Sequence, residues 1–289
     1  MHSLMRFCVA LLVVVLMVPG VAGAVEMRTY TADELGFMAS SHLIIGDDAV
    51  ILVDAQFTRA HTWEVVDMIK ASERPLTMIF VTSPRPERYF GLAVLRNHFP
   101  EVRIVARPST AETIAAEGQA MIDRWRPIYL DDIPAEFVVP EALEDDVLTL
   151  GDENIEIYQA DGDDAPASTV LYLPGAETLI ATDFAFGGVH PLLEGTDPGA
   201  LASGLATLKE KLGQVTWVYP GWGDGGGERL LEESRVYLEA LRAALDSDRE
   251  GAVRIMREAY PAYRMPVFLK QTVRAALIRP STTATGTGD

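Results

Sequence analysis

Cysteine is almost absent from this chain. There is one in 289 residues, Cys8, and it lies in the apolar N-terminal stretch. Downstream of that stretch there is no thiol, which excludes disulfides, zinc–thiolate sites and a cysteine nucleophile. Histidine is scarce too, with five residues. Positive charge is under-supplied: 24 Lys and Arg stand against 42 Asp and Glu, for a formal net charge of −18. Such an acidic chain repels phosphate backbones and anionic lipid surfaces, so nucleic acid is not an expected partner. The arginines that do cluster, from Arg254 to Arg279, alternate with apolar residues on predicted helices and read as a solvated face. Long apolar runs are also missing after residue 24, so no membrane span is expected there.

What is present begins with an export signature. Arg6 forms a short basic region, Phe7 to Val18 an apolar run, Pro19-Gly20 a break, and Ala22-Gly23-Ala24 a small-x-small cleavage site. Residues 1–24 are therefore expected to be a signal peptide, with an uncleaved anchor as the alternative. The mature chain would start at Val25, and losing Arg6 would bring its net charge to −19. The expected location is periplasmic or secreted. Residues 25–280 are long enough for one large core, and 281–289, small and polar, read as a disordered tail.

Ser41 to Ala55 reads as a hairpin around the turn Gly46-Asp47-Asp48. Thr62 to Ala71 has helical periodicity, and the strand Met78 to Val81 follows it. A helix from Leu92 to Phe99 precedes the strand Val102 to Ala106. Ser109 and Glu112 have capping-box spacing for a helix to about Trp125. Strands recur at Ile155 to Gln159, Thr169 to Leu173, Thr178 to Ala181 and Val215 to Tyr219. A helix from Asp197-Pro198 to about Leu212 carries aspartate as cap and proline in its first turn. Glu228 to about Leu245 is helical. Consecutive strands from Ile155 to Ala181 argue against a doubly wound sheet. The order fits an α/β fold of the αββα kind, two mixed sheets between helices. Gly221-Trp222-Gly223-Asp224-Gly225-Gly226 satisfies G-x-G-x-x-G, but no second strand with an acidic ribose ligand follows it, so the glycines read as a tight turn.

The loop Ser83-Pro84-Arg85-Pro86-Glu87-Arg88 has the spacing of H-x-H-x-D-H. Further along stand Asp164-Ala165-Pro166-Ala167-Ser168, Ala181-Thr182-Asp183 and Pro220-Gly221-Trp222-Gly223, after an opening hairpin that ends Leu52-Val53-Asp54. In this order, each at a strand end, these features resemble the metallo-β-lactamase superfamily. Its fold is the αββα sandwich, and its members are mostly zinc hydrolases in which a metal-bound hydroxide attacks a carbonyl or phosphorus centre. The resemblance places one zinc on Ser83, Arg85 and Asp164, and a second on Glu87, Arg88, Asp183 and Trp222. Of these, only Asp183 keeps the family's residue.

A zinc ligand must offer a lone pair, and guanidinium has none to offer. No zinc or other cofactor is therefore expected, and zinc-dependent hydrolysis is expected to be absent. Two arginines facing the carboxylates Glu87, Asp164 and Asp183 are expected instead to hold the loop by ion pairs. His42, His61, His98 and His190 fall at no ligand position. His190, which follows the Asp183 strand, is a candidate to line the cleft. Ser83 and Ser168 lack a G-x-S-x-G elbow and a base placed by sequence, so neither reads as a nucleophile, and Ser168 is expected to open a strand. Three readings follow: a pseudoenzyme that binds a ligand or partner through the old cleft; a divergent hydrolase using an altered metal site or none; and a weak hydrolase recruiting zinc elsewhere. In the first, Arg85, Arg88 and Trp222 suit a small anion with an apolar body.

Overall fold

In strands buried on both faces, successive side chains serve two different cores. The computed structural model, which describes residues 25–159, 168–193 and 196–278, shows this sorting directly. The first half of the chain contributes β1 (Glu26–Thr31), β2 (Ser40–Ile45), β3 (Val50–Val53), helix α1 (Arg59–Lys70) and β4 (Leu76–Val81). It continues with α2 (Pro86–Tyr89), α3 (Leu92–His98), β5 (Arg103–Ala106), α4 (Pro108–Tyr129) and β6 (Glu141–Ala142). The second half contributes β7 (Val147–Leu150), β8 (Glu153–Gln159), β9 (Thr169–Leu173), β10 (Thr178–Ile180), β11 (Phe186–Gly187) and α5 (Pro198–Lys211). Then come β12 (Trp217–Tyr219), β13 (Trp222–Gly223), β14 (Gly226–Gly227), α6 (Arg229–Ser247), α7 (Ala252–Ala259) and α8 (Pro266–Ile278).

Strands β1 to β6 form one sheet in sequence order, antiparallel through β3 and parallel beyond it. The second sheet runs β14-β12-β10-β9-β8-β7, antiparallel except for the β10–β12 pair. Ile44, Ile51, Val53, Phe80 and Val105 of the first sheet meet Ile155, Ile157, Leu171, Leu173 and Ile180 of the second in a central core. The alternate residues, Leu43, Leu52, Ile79 and Ile104, face outward onto α1, α3 and α4. Val170, Tyr172 and Leu179 face outward onto α5 and α6. Helix α8 joins both outer cores, through Phe268 on one side and Leu269 and Val273 on the other. This is the αββα sandwich the sequence implies.

Local chemistry explains most element ends. Asp197 accepts from the Ala200 amide at 2.9 Å and caps α5, with Pro198 at its first position. The proposed capping box on α4 is not used. The helix starts about half a turn earlier, on Pro108, with Arg107 in place of Ser109 as the residue before the first turn, held extended before the proline and with no side-chain cap bond. It also runs past Trp125, through Pro127, to Tyr129, where Phe37, Phe57 and Trp125 surround the Tyr129 ring. Tertiary aromatic packing thus overrides the local stop signal. Strands β1, β6 and β7 carried no clear sequence signal, since each is short or half exposed. Among the described residues no helix is long and apolar enough to cross a membrane.

Candidate functional site

The ends of β3, β4, β10 and β12 come together at one edge of the sandwich, where the Thr169 amide at the start of β9 donates to the Thr82 carbonyl at 2.9 Å. Each strand delivers one part of the cluster. From the end of β4, Pro84 and Pro86 fix the chain on either side of Arg85, which is extended at φ −83° and ψ 137° before Pro86 opens α2. That single turn puts Arg85 and Arg88 on the same side. Just after β10, a turn at 182–184 presents Asp183.

Both guanidiniums converge on that carboxylate. Arg88 Nη2 donates to Asp183 Oδ1 at 3.0 Å, and Arg85 Nε donates to Asp183 Oδ2 at 3.2 Å. The Ser168 hydroxyl, at the entrance to β9, donates to the same Oδ2 at 2.6 Å. Arg88 also donates through Nη1 to the Gly221 carbonyl at 3.0 Å, and its Nε lies 3.5 Å from Asp54 Oδ2. The Trp222 ring covers the cluster, with the Arg88 guanidinium 4.6 Å and the Arg85 guanidinium 5.4 Å from its centroid. Arg88 and Trp222 are fully buried, whereas the Arg85 side chain keeps 13 % exposure. The glycine before the tryptophan is obligatory here: a β-carbon at Gly221 would sit 2.2 Å from Arg88 Nη2 and 2.4 Å from the Thr182 carbonyl.

The electrostatics follow from these contacts. Burial alone would raise the Asp183 pKa, but Arg85, Arg88 and the Ser168 hydroxyl overrule it and hold the carboxyl down at about 2. Burial likewise works against a charged Arg88, and Asp183, Asp54 and Glu87 outweigh it, leaving a permanent cation. Asp54 shows the opposite balance. Burial pushes it up to about 7, although Arg88 is near and Thr82 donates both its amide (2.8 Å) and its hydroxyl (2.7 Å). Burial also raises Glu87, whose Oε1 has no partner among the described residues. The cluster is thus one ionised aspartate bridging two arginines, with Asp54 and Glu87 as buried acids shifted toward neutrality.

These assignments give stability an opposed pH dependence. Asp54 has a folded pKa raised from 3.8 to about 7, so its stabilisation is complete below pH 3.8 and is lost as pH rises to 7. His42 is the reverse. It is fully buried, its Nδ1 lies 2.9 Å from Thr29 Oγ1 and its Nε2 3.0 Å from the Pro220 carbonyl, and burial lowers its pKa from 6.5 to about 3. Its contribution is complete above pH 6.5 and is lost as pH falls toward 3. The substitution Asp54→Asn removes the first trend and leaves the second. The variant is expected to gain on the wild type by a few kcal/mol between pH 4 and 8, since each tenfold change in proton affinity is worth about 1.4 kcal/mol. Urea unfolding of both proteins across that range checks it, and a constant difference would show that Asp54 does not titrate.

Of the residues anticipated from sequence, Arg85, Arg88, Asp183 and Trp222 are in mutual contact. Ser83 and Glu87 are buried on the same loop, yet Ser83 Oγ and Glu87 Oε1 have no hydrogen-bond partner among the described residues. Asp164 lies outside the described residues. His190 takes no part in the cluster: its Nδ1 is 2.7 Å from the Tyr237 hydroxyl and its ring lies against Tyr263. His61 and His98 serve local packing, on Thr58 and on the Val94 carbonyl. Sequence reasoning missed Asp54 and Thr82 as partners of the cluster, and the bond from Ser168. The available signals were an aspartate ending an apolar strand and a hydroxyl opening one.

The residues at the implied zinc positions do not fit that metal. Arg85, Arg88 and Trp222 have no lone pair to give, and Asp183, the one retained ligand, is already ion-paired with two guanidiniums and accepts from a hydroxyl. Among the described residues no group of three His, Cys, Asp or Glu side chains is arranged to hold a metal ion.

No family model matches the chain, and no curated protein does. Solved structures do. A metallo-β-lactamase from Pontibacter korlensis aligns over 76 % of this chain and 96 % of its own, with TM-score 0.60 and 18 % identity. TMB-1 aligns over 75 % of this chain and 93 % of its own (TM-score 0.55, 17 % identity), and VMB-1 over 70 % and 85 % (TM-score 0.54, 14 % identity). At these identities the likeness establishes the fold: the chain has the metallo-β-lactamase fold.

Proposed function

We propose that this protein is an exported binding or accessory protein, a pseudoenzyme in which an arginine–aspartate–tryptophan cluster stands in for a dinuclear zinc centre. The observation that carries the reading is the fully buried Arg88, bonded to Asp183 and Gly221 and covered by Trp222. Arg85 and Arg88 supply fixed positive charge on Asp183, the charge role that two metal ions would have. A guanidinium does not act as a Lewis acid toward water, so the two arginines do not generate the hydroxide nucleophile that a bound zinc would. A ligand role for the old cleft rests on Arg85, because Arg88 and the Trp222 ring are already covered. A small anion is the ligand class that suits it.

Two measurements on the purified protein test the reading. Zinc titration is expected to give no stoichiometric binding and no rise in melting temperature. A site of nanomolar Kd would instead add about 4 kcal/mol at a thousandfold excess over Kd. Hydrolysis of β-lactam, lactone and thioester probes is expected at background with or without added zinc. Turnover that follows added zinc and disappears in Asp183→Asn would overturn the proposal in favour of a divergent hydrolase.

A further inference from the structure

A second cluster lies away from the arginine–aspartate–tryptophan site, between the segment that follows β11 and α7–α8. His190, Arg257, Tyr260 and Tyr263 line a hollow of about 610 Å³, with Glu250, Arg254 and Glu258 on the same wall. We propose that this hollow binds a small aromatic monocarboxylate, with the ring against the tyrosines and the carboxylate on Arg257 and His190.

The aromatic wall is built, not incidental. Tyr237 and Tyr263 stack at 5.4 Å with an interplanar angle of 4°. Tyr260 tilts against both, at 4.8 and 4.9 Å, and the His190 ring lies 5.5 Å from Tyr263. Tyr237 is fully buried and backs the wall, while Tyr260 and Tyr263 are half buried and offer ring surface to a guest. A flat apolar body gains from such rings both by burial and by offset or edge contact. The volume falls in the range of small-ligand pockets.

The polar groups have a direction. The Tyr237 hydroxyl lies 2.7 Å from His190 Nδ1, and this is its one hydrogen bond among the described residues. A buried phenol must donate its hydrogen, so Nδ1 accepts it and the ring hydrogen sits on Nε2. That N–H has no acceptor among the described residues. Burial, and secondarily Arg257, lower the His190 pKa to about 4, so this donor is neutral imidazole at neutral pH. Arg257 is solvent-exposed and makes no hydrogen bond or ion pair with a described residue, unlike Arg254, which pairs with Asp248 and Glu258. A guanidinium and an N–H at one aromatic hollow, neither with a partner among the described residues, select a carboxylate. Glu250 and Glu258 on the same wall oppose a dianion, which is why a monocarboxylate is favoured over a phosphate ester.

The probe is phenylacetate, titrated into the purified protein by calorimetry, with acetate, phenol and inorganic phosphate as separate titrants. Phenylacetate is expected to bind saturably, and each of the other three about tenfold or more weaker. Arg257→Gln, an exposed substitution that leaves the core intact, is expected to weaken phenylacetate by about tenfold or more. Arg85→Gln is expected to leave it unchanged, which separates this site from the old cleft. In ¹⁵N-resolved spectra the His190 Nε2 resonance is expected to shift on saturation. Three results would overturn the proposal: no saturable phenylacetate binding up to about 10 mM, an affinity within about twofold of wild type in Arg257→Gln, or loss of binding in Arg85→Gln alone.

Discussion

Replacing Asp183 by alanine is expected to lower the unfolding free energy by about 3–5 kcal/mol, because it leaves Arg88 buried without its principal counter-charge. For a domain of this size that is a fall of roughly 6–20 °C in melting temperature. The loss is this large for a geometric reason. Arg88 is fully enclosed and cannot swing to water, and Asp54, 3.5 Å from its Nε, is pushed by burial toward its neutral form. Arg85 and Ser168 lose their acceptor at the same time. Removing both charges should cost less than the two separate losses together. Arg88→Met combined with Asp183→Asn leaves no stranded ion, so the double variant is expected to be more stable than the sum of the single effects, by a coupling energy of about 1–3 kcal/mol. Urea denaturation of the four proteins measures it. Additive single effects would mean that the two side chains do not act as one unit.

The architecture was readable because it depends on alternation and strand order, which the chain states repeatedly. Leu43-Ile44-Ile45 and Val50-Ile51-Leu52-Val53 each supply residues to two cores, as a strand covered on both faces must. The loop at Ser83–Arg88 was readable because two prolines fix its path and the spacing of its charges survives. What the residues at those positions do was only partly legible. A pair of arginines facing a carboxylate could be anticipated, but not that Arg88 would be sealed beneath Trp222, nor that Ser83 Oγ and Glu87 Oε1 would be buried beside the cluster with no geometrically sound hydrogen bond among the described residues. Burial at a site made by five separate segments is a tertiary property, and no local pattern encodes it. The same holds for Asp54. Its place at the end of an apolar strand is local, while its raised pKa comes from everything packed around it. The end of α4 fails for a related reason: Pro127 is a local stop signal, and aromatic packing on Tyr129 carries the helix past it.

Trp222→Ala is expected to cost about 3–5 kcal/mol, the usual loss when a fully buried large aromatic is truncated. Part of that loss is transfer free energy and part is the cavity left against two guanidiniums. The indole Nε1 is buried and makes no hydrogen bond to a described residue. Trp222→Phe, which keeps a ring over Arg88 and deletes the orphan N–H, is therefore expected to cost clearly less than the alanine substitution. The cavity offers a further check. Its backbone rim is held by Gly221 and Gly223, whose amides donate to the Thr182 and Met38 carbonyls at 2.8 and 3.1 Å. A rim pinned from two segments resists collapse, and a cavity that does not collapse takes up a guest of the deleted shape. Added indole is thus expected to raise the melting temperature of Trp222→Ala and to leave that of the wild type unchanged. At a hundredfold excess over its Kd the recovery should approach about 2.7 kcal/mol. If the alanine variant is as stable as the wild type, Trp222 does not seal the cluster. If the variant is destabilised but indifferent to indole, the loop at Pro220–Gly223 closes over the gap and its shape depends on the side chain it carries.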